Sequence, residues 1–449
     1  MLSEALPLAA ELPKPPEWGL LVNHLPYEWV EAALSNTKTA SIRRRRLPAE
    51  QVVWLVIALA LYRHRSVRQV VAELDVALPG LEAAFVTDSA VTQARQRLGK
   101  EPMQWLFDVS AEVWKHQDAE QRKWQGLELL SIDGTTLRLA DSKPNREYFG
   151  GGAYKNGAIA NYPQARGVTL CMLDTQLVIG ARFDAYKTHE ITMAKELLSR
   201  LPDNSLTLLD RGFWSGELLS KIIGGGLERH YMIPAKSNTK WTLISGTVND
   251  GIVEMETSDT LRKRDPSLPR YWRARAVSVD APDGKKRYLV TSLLDKKRFP
   301  ARELAKCYAK RWGIETSYRE LKDTMLGMAI TLRSQSVEGV QQEIWGSMIA
   351  YNLVRVEMAK AALAAKVEPT RISFVLALAT IQYELMSSAI TMAPGNLPSL
   401  LARMRERLAT NLNAFRPGRK FDRVVKTKAQ RYPTRRLVKE TKDQESGLT

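Results

Sequence analysis

The segment "YAKRWGIETSYRELK", residues 308–322, carries polar side chains at a helical spacing, namely Tyr308, Arg311, Glu315 and Lys322. At 3.6 residues per turn, these positions return to one face of a helix, within an arc of roughly 60°. No proline interrupts the segment, and its only glycine is Gly313. The spacing therefore predicts one helix that presents a phenol, a guanidinium, a carboxylate and an ammonium on a single face.

Two further acids follow strand-like apolar runs. Asp133 follows "LELLSI", and Asp210 follows "LTLL". Taken alone, each is typical of a turn or a helix cap after a strand. Two such strands side by side would bring both aspartates together, and the predicted helix would add Glu315. Clustered carboxylates repel each other unless a cation neutralises them, and hard oxygen ligands select Mg²⁺ or Mn²⁺.

Two such ions, about 4 Å apart, can activate a water or a 3′-hydroxyl and stabilise the leaving oxygen of a phosphodiester. Arg311 and Lys322 are then expected to contact phosphate oxygens rather than metal, with Tyr308 donating one more hydrogen bond. Metal affinity should not depend on either base. The alternative is a solvated helix face with ion pairs such as Glu315–Arg319, worth a few tenths of a kcal/mol.

These residues resemble a known family. The three acids and the spacing Tyr-x2-Arg-x3-Glu-x6-Lys are similar to the DDE triad and YREK signature of IS4-family bacterial insertion-sequence transposases. "SIDGTTLRLAD" and "LTLLDRGFWS" resemble the family's two aspartate segments, and "LRSQSVEGVQQEIWGSMIAYNLVR" resembles its helix after the signature. "RRRRLP" and "SAVTQARQRLG" resemble its N-terminal domain. The resemblance covers nearly the whole chain, and the triad shows no departure from the family pattern.

The resemblance implies an RNase H-like α/β catalytic domain, interrupted by a β-rich insertion before the Glu315 helix. It also implies cut-and-paste transposition, with metal-dependent cleavage at terminal inverted repeats and strand transfer into target DNA. The residues that it makes catalytic and metal-binding, with two Mg²⁺ or Mn²⁺ ions, are Asp133, Asp210 and Glu315. The residues that we assign to DNA contacts are Tyr308, Arg311, Trp312 and Lys322.

Other aromatic and polar residues are weaker candidates. Trp312 lies beside Arg311 and could stack on an extruded base. Trp241, Trp272 and Tyr288 could also stack on an extruded base, although core packing is the favoured interpretation of Trp241 and Trp272. The pair His189-Glu190 could support the acids indirectly, and an isolated histidine after a strand is more often a satisfied hydrogen-bonding residue.

Patterning along the chain predicts an all-α N-terminal DNA-binding domain, a two-part catalytic domain and a helical, basic C-terminal region. Between 121 and 230 the order strand, strand, strand, helix, strand, helix is typical of an α/β domain with a mixed sheet. The predicted segments are the N-terminal domain at 1–120, the catalytic domain at 121–230 and 301–365, the β-rich insertion at 231–300 and the C-terminal region at 366–449.

DNA contacts outside the catalytic domain have structural alternatives. The N-terminal helices suit a helix-turn-helix-like unit, and a plain helical bundle is the alternative. Residues 416–442 carry eleven Lys and Arg against Asp422 and Glu440. This favours an arm that contacts phosphates, and the alternative is a solvated tail.

Composition limits the partners. The 449 residues carry a formal charge of +17, which favours a polyanion such as double-stranded DNA at element ends and targets. The two cysteines form no disulfide framework or zinc spacing, and no secretory signal is present, so we expect a cytoplasmic protein. The resemblance implies that this cytoplasm is bacterial and that the protein associates with the nucleoid when bound to DNA. The apolar run 52–62 is too short to span a bilayer. We expect a homodimer in the synaptic complex, no membrane partner and no nucleotide cofactor.

Two alternative functions are left open. One is a sequence-specific DNA-binding protein that has lost catalysis, and a divalent-metal cleavage assay would detect it. The other is an RNase H-like nuclease that cleaves DNA without strand transfer, distinguishable by the absence of a joined product.

Overall fold

A computed structural model describes residues 24–39, 47–71, 87–116, 123–152, 160–280, 286–327, 332–391 and 397–414. The basic stretch 416–442 lies outside these residues, as does the pair Asp-Gly at 283–284, which predicts a turn between two strands. Along the described part of the chain, no helix is long and apolar enough to cross a membrane.

The N-terminal region is helical where it is described. Its helices are α1 (Tyr27–Asn36), α2 (Ala49–Leu61), α3 (Asp88–Leu98) and α4 (Glu101–Lys115). The sequence suggests Asp88 as the cap of α3, but the Thr87 hydroxyl accepts from the Ala90 N–H and Asp88 is the first helical residue. Gly99 ends α3 with a φ of 68°, a left-handed conformation that glycine adopts without strain.

The central sheet begins after these helices. Its first elements are β1 (Glu128–Arg138), α5 (Lys143–Phe149), β2 (Gln164–Met172), β3 (Val178–Ala185), α6 (Glu190–Glu196), β4 (Ser205–Leu209), α7 (Gly216–Gly224) and β5 (Arg229–Pro234). The strands lie in the order β3-β2-β1-β4-β5. The pairs β1–β2 and β2–β3 are antiparallel, whereas β1–β4 and β4–β5 are parallel. This is the mixed sheet of an RNase H-like fold, and from β1 to α7 its elements follow the predicted order except for the additional helix α5 between β1 and β2.

The β-rich segment continues the same sheet. Its elements are β6 (Thr242–Thr247), β7 (Asp250–Glu256), α8 (Asp259–Arg264), β8 (Tyr271–Asp280) and β9 (Lys286–Thr291). Strand β9 pairs antiparallel with β5, so the described residues form one nine-stranded sheet. The range 231–300 expected for the insertion therefore begins inside β5, which belongs to the parallel part of the sheet.

The spacing predicts that the signature segment forms one regular helix, and this prediction is wrong. It is divided into α9 (Ala301–Ala309), α10 (Trp312–Arg319) and a π-helical turn (Glu320–Met325). Between α9 and α10, the Gly313 N–H donates to the Lys310 carbonyl at 2.9 Å, and the Ile314 N–H donates to the Arg311 carbonyl at 3.1 Å. Bonds of this i to i+3 kind tighten the chain and separate the two helices.

The remaining helices are α11 (Val337–Ala365), α12 (Phe374–Thr391) and α13 (Leu397–Thr410). Helix α11 packs against α2, α4, α12 and α13. This explains why α2 is apolar all round, since every residue from Val52 to Leu61 is buried. The N-terminal helices thus share one hydrophobic core with the C-terminal ones. The proposed limits of the domains remain a prediction.

The contact between α2 and α11 depends on a glycine. A Cβ on Gly346 would lie 2.6 Å from Val56 Cγ1 and 3.1 Å from the Val56 carbonyl oxygen. We expect Gly346→Ala to lower the free energy of unfolding by about 1–3 kcal/mol, as overpacking does. Urea unfolding measures the change. The matched control is Gly224→Ala in α7, where a Cβ meets nothing within 4 Å. Equal stability of the two variants would contradict this packing.

Candidate active site

Both predicted aspartates lie at one point of the sheet. In the parallel pair of β1 and β4, Ile132 lies opposite Leu209. Asp133 and Asp210 are the next residues on the two strands, so neighbouring strands bring them together as predicted. Asp133 is inside β1 rather than at its end, because β1 continues along β2 to Arg138 after β4 has stopped.

The main chain constrains each aspartate differently. The Asp133 Oδ1 accepts from the N–H of Gly134 at 2.8 Å, and its side chain is 16% exposed. Asp210 is exposed and caps the short 3₁₀ turn Arg211–Phe213 by accepting from the Arg211 N–H. One acid is therefore held in the sheet, and the other lies at the start of a solvent-facing turn.

Helix α10 brings Glu315 to the aspartates through Arg311. The guanidinium of Arg311 lies 2.7 Å from Glu315 Oε1 and 3.3 Å from Asp133 Oδ2. The side chain of Arg311 is 12% exposed, whereas that of Glu315 is 40% exposed. Arg311 therefore bridges the sheet acid and the helix acid, a role that spacing alone did not predict.

The pKa of Asp133 responds to the charges of the other two acids. Burial raises the pKa of Asp133 to about 6. Arg311 opposes this increase, while the charges of Asp210 and Glu315 add to it. Asp133 is thus close enough to both other carboxylates for their repulsion to be felt, and a cation between them would be stabilising.

Tyr308 and Lys322 also converge on this place. The Tyr308 hydroxyl donates to the Leu209 carbonyl at 3.1 Å, and burial raises its pKa to about 12, so the phenol remains a donor. Burial lowers the pKa of Lys322, and the nearby acids Asp323 and Asp133 oppose this decrease. Despite the break in the helix, the signature residues still face the aspartates.

The π-helical turn that carries Lys322 is held by a buried ion pair with helix α11. Glu320 forms an ion pair with Arg355 of α11, a side chain that is only 1% exposed. The Tyr351 hydroxyl lies 3.3 Å from Glu320 Oε2 and 3.0 Å from Arg355 Nε. A buried ion pair with a third partner fixes the geometry of the turn, and no local pattern in the sequence predicts it.

Glu190 lies closer to the site than its sequence position indicates. A Cβ on Gly134 would lie 2.6 Å from the carboxyl carbon of Glu190. The absence of a side chain at Gly134 thus allows the Glu190 carboxylate to approach the residue that follows Asp133. Arg166, 4.0 Å away, balances its charge.

The aromatic candidates separate into packed and exposed residues. Trp241 packs edge-to-face on Tyr288 with ring centroids 5.4 Å apart, and Trp272 packs on Tyr231 at 6.4 Å. These contacts agree with the core-packing interpretation of the two tryptophans. Trp312 differs, because it is 66% exposed at the start of α10.

The donor set fits a divalent cation chemically. Its oxygens come from carboxylates, the ligands that Mg²⁺ and Mn²⁺ prefer. Over the described residues, no three His, Cys, Asp or Glu side chains are already arranged to hold a metal ion. In this structure the guanidinium of Arg311 provides the positive charge between Asp133 and Glu315. Asp133 and Glu315 therefore share the guanidinium of Arg311 as their cation.

Comparisons with known proteins cover most of the chain. Residues 15–108 match the family model "Insertion element 4 transposase N-terminal", and residues 124–353 match "Transposase DDE domain". The transposase InsG for insertion sequence element IS4 of Escherichia coli (strain K12) is 37% identical over 416 residues, which is 92% of this chain and 93% of InsG. A cryo-EM structure of the piggyBac transposase synaptic complex with hairpin DNA is similar at a TM-score of 0.44 and 13% identity, over 91% of this chain and 88% of that one.

Proposed function

We propose which residues of this chain bind metal and which bind DNA. The chain belongs to the IS4 family of DDE transposases. Membership of this family makes the protein a DNA transposase, an enzyme that cleaves and rejoins phosphodiester bonds and depends on divalent metal ions. The observation that carries the residue assignment is the meeting of Asp133 and Asp210 across the β1–β4 pair, with Arg311 linking Asp133 to Glu315.

The proposed metal ligands are Asp133, Asp210 and Glu315, with Mg²⁺ or Mn²⁺ as the ion and two ions per site. When bound, such ions activate the attacking hydroxyl and stabilise the leaving oxygen of the phosphodiester. Asp133 enters from a fixed strand, whereas Asp210 and Glu315 enter from a turn and a helix start.

The proposed DNA contacts surround these acids. Arg311 and Lys322 bind non-bridging phosphate oxygens, and Arg311 must first release Asp133 or Glu315 to do so. The Tyr308 hydroxyl lies beside Asp210 and donates its one proton to the Leu209 carbonyl in this structure, so it must leave that carbonyl to donate to the same phosphate. Exposed Trp312 supplies a flat surface on which an extruded base stacks.

The proposed reaction is cut-and-paste transposition of an insertion sequence. Cleavage at the terminal inverted repeats frees the element, and strand transfer joins it to target DNA. We propose that two copies of the chain act together in the synaptic complex, since an element has two ends. Residues 1–120 and the basic stretch 416–442 are proposed to bind DNA outside the site. A bacterial cytoplasm with access to the nucleoid suits these substrates.

The test uses duplexes that carry the inverted repeats flanking the gene. Purified protein with Mg²⁺ should nick these ends, complete the double-strand break and join the cut ends to a plasmid, whereas chelation by EDTA should stop all steps. Duplexes with scrambled repeats are the control. Cleavage without a joined product would indicate a nuclease, and binding without cleavage would indicate an inactive DNA-binding protein. Either outcome would contradict the proposal.

A further inference from the structure

One buried tyrosine connects the signature helix to the strand of Asp133. Tyr318 lies three residues after Glu315 and four residues before Lys322, and it is 7% exposed. Its hydroxyl donates to the main-chain carbonyl of Asp133 at 2.6 Å. Neither residue type nor spacing singles out Tyr318, because a tyrosine on the buried side of a helix is ordinarily a core residue.

The hydroxyl of Tyr318 has a second partner on strand β2, Thr169. A phenol has one hydroxyl proton, and in Tyr318 this proton is donated in the hydrogen bond to the Asp133 carbonyl. The hydroxyl of Thr169, whose Oγ1 lies 2.8 Å away, is therefore the donor to the Tyr318 oxygen. Thr169 is the register partner of Asp133 in the antiparallel pair of β1 and β2. Three elements, β1, β2 and α10, therefore meet at one hydroxyl.

The ring of Tyr318 also faces the last residue of the signature. Lys322 Nζ lies 5.7 Å from the ring centroid, within the range of a cation–π contact. The same side chain thus contacts the backbone of Asp133 and the ammonium of Lys322. Since Tyr318 is on the same short helix as Glu315, its position sets the distance between the strand acid and the helix acid.

We propose that Tyr318 is a positioning residue that holds Asp133 in the orientation needed for metal binding. The inference rests on the proposed function, because it requires Asp133 to be a metal ligand. A carboxylate follows its main chain, and a hydrogen bond to the peptide carbonyl fixes the plane from which the side chain projects. Groups that orient metal ligands typically change metal affinity or activity by about 10- to 100-fold when they are removed.

The test variant is Tyr318→Phe, which keeps the ring below Lys322 and removes only the hydroxyl. Bound Mn²⁺ is counted by electron paramagnetic resonance in the full-length protein complexed with a pre-cleaved end duplex. We expect the Mn²⁺ concentration for half-saturation to rise roughly tenfold. Single-turnover joining should fall at low Mn²⁺ and recover at high Mn²⁺, because the defect is in metal binding. Thr169→Val should also raise the Mn²⁺ concentration for half-saturation and slow joining at low Mn²⁺, and each change should be smaller than for Tyr318→Phe.

The matched control is Tyr231→Phe. Tyr231 is fully buried in β5, and its hydroxyl has no hydrogen-bond partner among the described residues. Its removal should leave the Mn²⁺ titration unchanged, which separates positioning from a general loss of core packing. An unchanged titration for Tyr318→Phe, with Asp133→Asn losing Mn²⁺, would overturn the inference alone. If Asp133→Asn binds Mn²⁺ like the unaltered protein, the proposed function fails as well.

Discussion

Asp133→Asn, Asp210→Asn and Glu315→Gln should each reduce cleavage of an element end by about a thousandfold or more, equivalent to about 4 kcal/mol of transition-state stabilisation. Each substitution keeps the shape of the side chain and removes the charge that a divalent cation requires. Binding of the end duplex should persist, because these three side chains are proposed to bind metal and not phosphate. The measurement is single-turnover cleavage with saturating protein, alongside a binding titration without metal.

The control for this prediction is Glu196→Gln. Glu196 is a half-exposed acid in α6 that pairs with Arg182 at 3.0 Å, and it takes no part in the proposed site. It should cleave like the unaltered protein. If any one of the three site variants cleaves at the unaltered rate, that residue is not a metal ligand and the assignment of the triad is wrong.

Arg311→Ala should have two effects of opposite sign. In the DNA-free protein it should raise Mn²⁺ affinity, because the guanidinium that competes for Asp133 and Glu315 is gone. In the DNA complex it should slow cleavage by roughly 10- to 100-fold, since a charge-assisted phosphate contact is worth about 1.5–3 kcal/mol. The sequence alone predicts unchanged metal affinity, and the observed ion pairs change this expectation.

Lys322→Ala is the matched variant. The charge of Asp133 also acts on Lys322, but Lys322 makes no ion pair with Asp133 or Glu315 within the described structure. It should slow cleavage without raising Mn²⁺ affinity. Arg311→Lys should restore only part of the rate, because an ammonium cannot make a two-point contact with phosphate. A time course should separate nicking, second-strand cleavage and joining for each variant. If neither alanine variant slows a step, the assignment of Arg311 and Lys322 to phosphate contacts is wrong.

The convergence of the acids follows from local patterns. An apolar run that ends in aspartate predicts a buried strand with an acid at its end; this is the position of Asp210 after β4, whereas at Asp133 the strand is found but continues to Arg138. Their adjacency follows from the element order, which leaves few arrangements of a mixed sheet. The spacing of the signature places Glu315 on the same face as its bases. These features follow from residue types and spacings within each segment and from the order of the segments, so the sequence predicts them.

The features that spacing missed depend on contacts between distant residues. Tyr318 bonds to Asp133, 185 positions earlier, and Glu320 pairs with Arg355, 35 positions later. Neither interaction leaves a periodic pattern in either segment. The break between α9 and α10 depends on main-chain bonds around Gly313, which helical periodicity cannot reveal because it assumes an uninterrupted turn. Similarly, the apolar composition of α2 predicts burial but not that α11 covers it.

The most direct test of the account is the position of the metal itself. Crystals of the protein with a pre-cleaved end duplex, soaked in Mn²⁺, should give an anomalous diffraction peak within about 2.1–2.3 Å of carboxylate oxygens of Asp133, Asp210 and Glu315, the range for small divalent ions with oxygen ligands. The guanidinium of Arg311 should then lie on the DNA backbone rather than between the acids. A Mn²⁺ peak that contacts none of these carboxylates, or only one of them, would contradict the account.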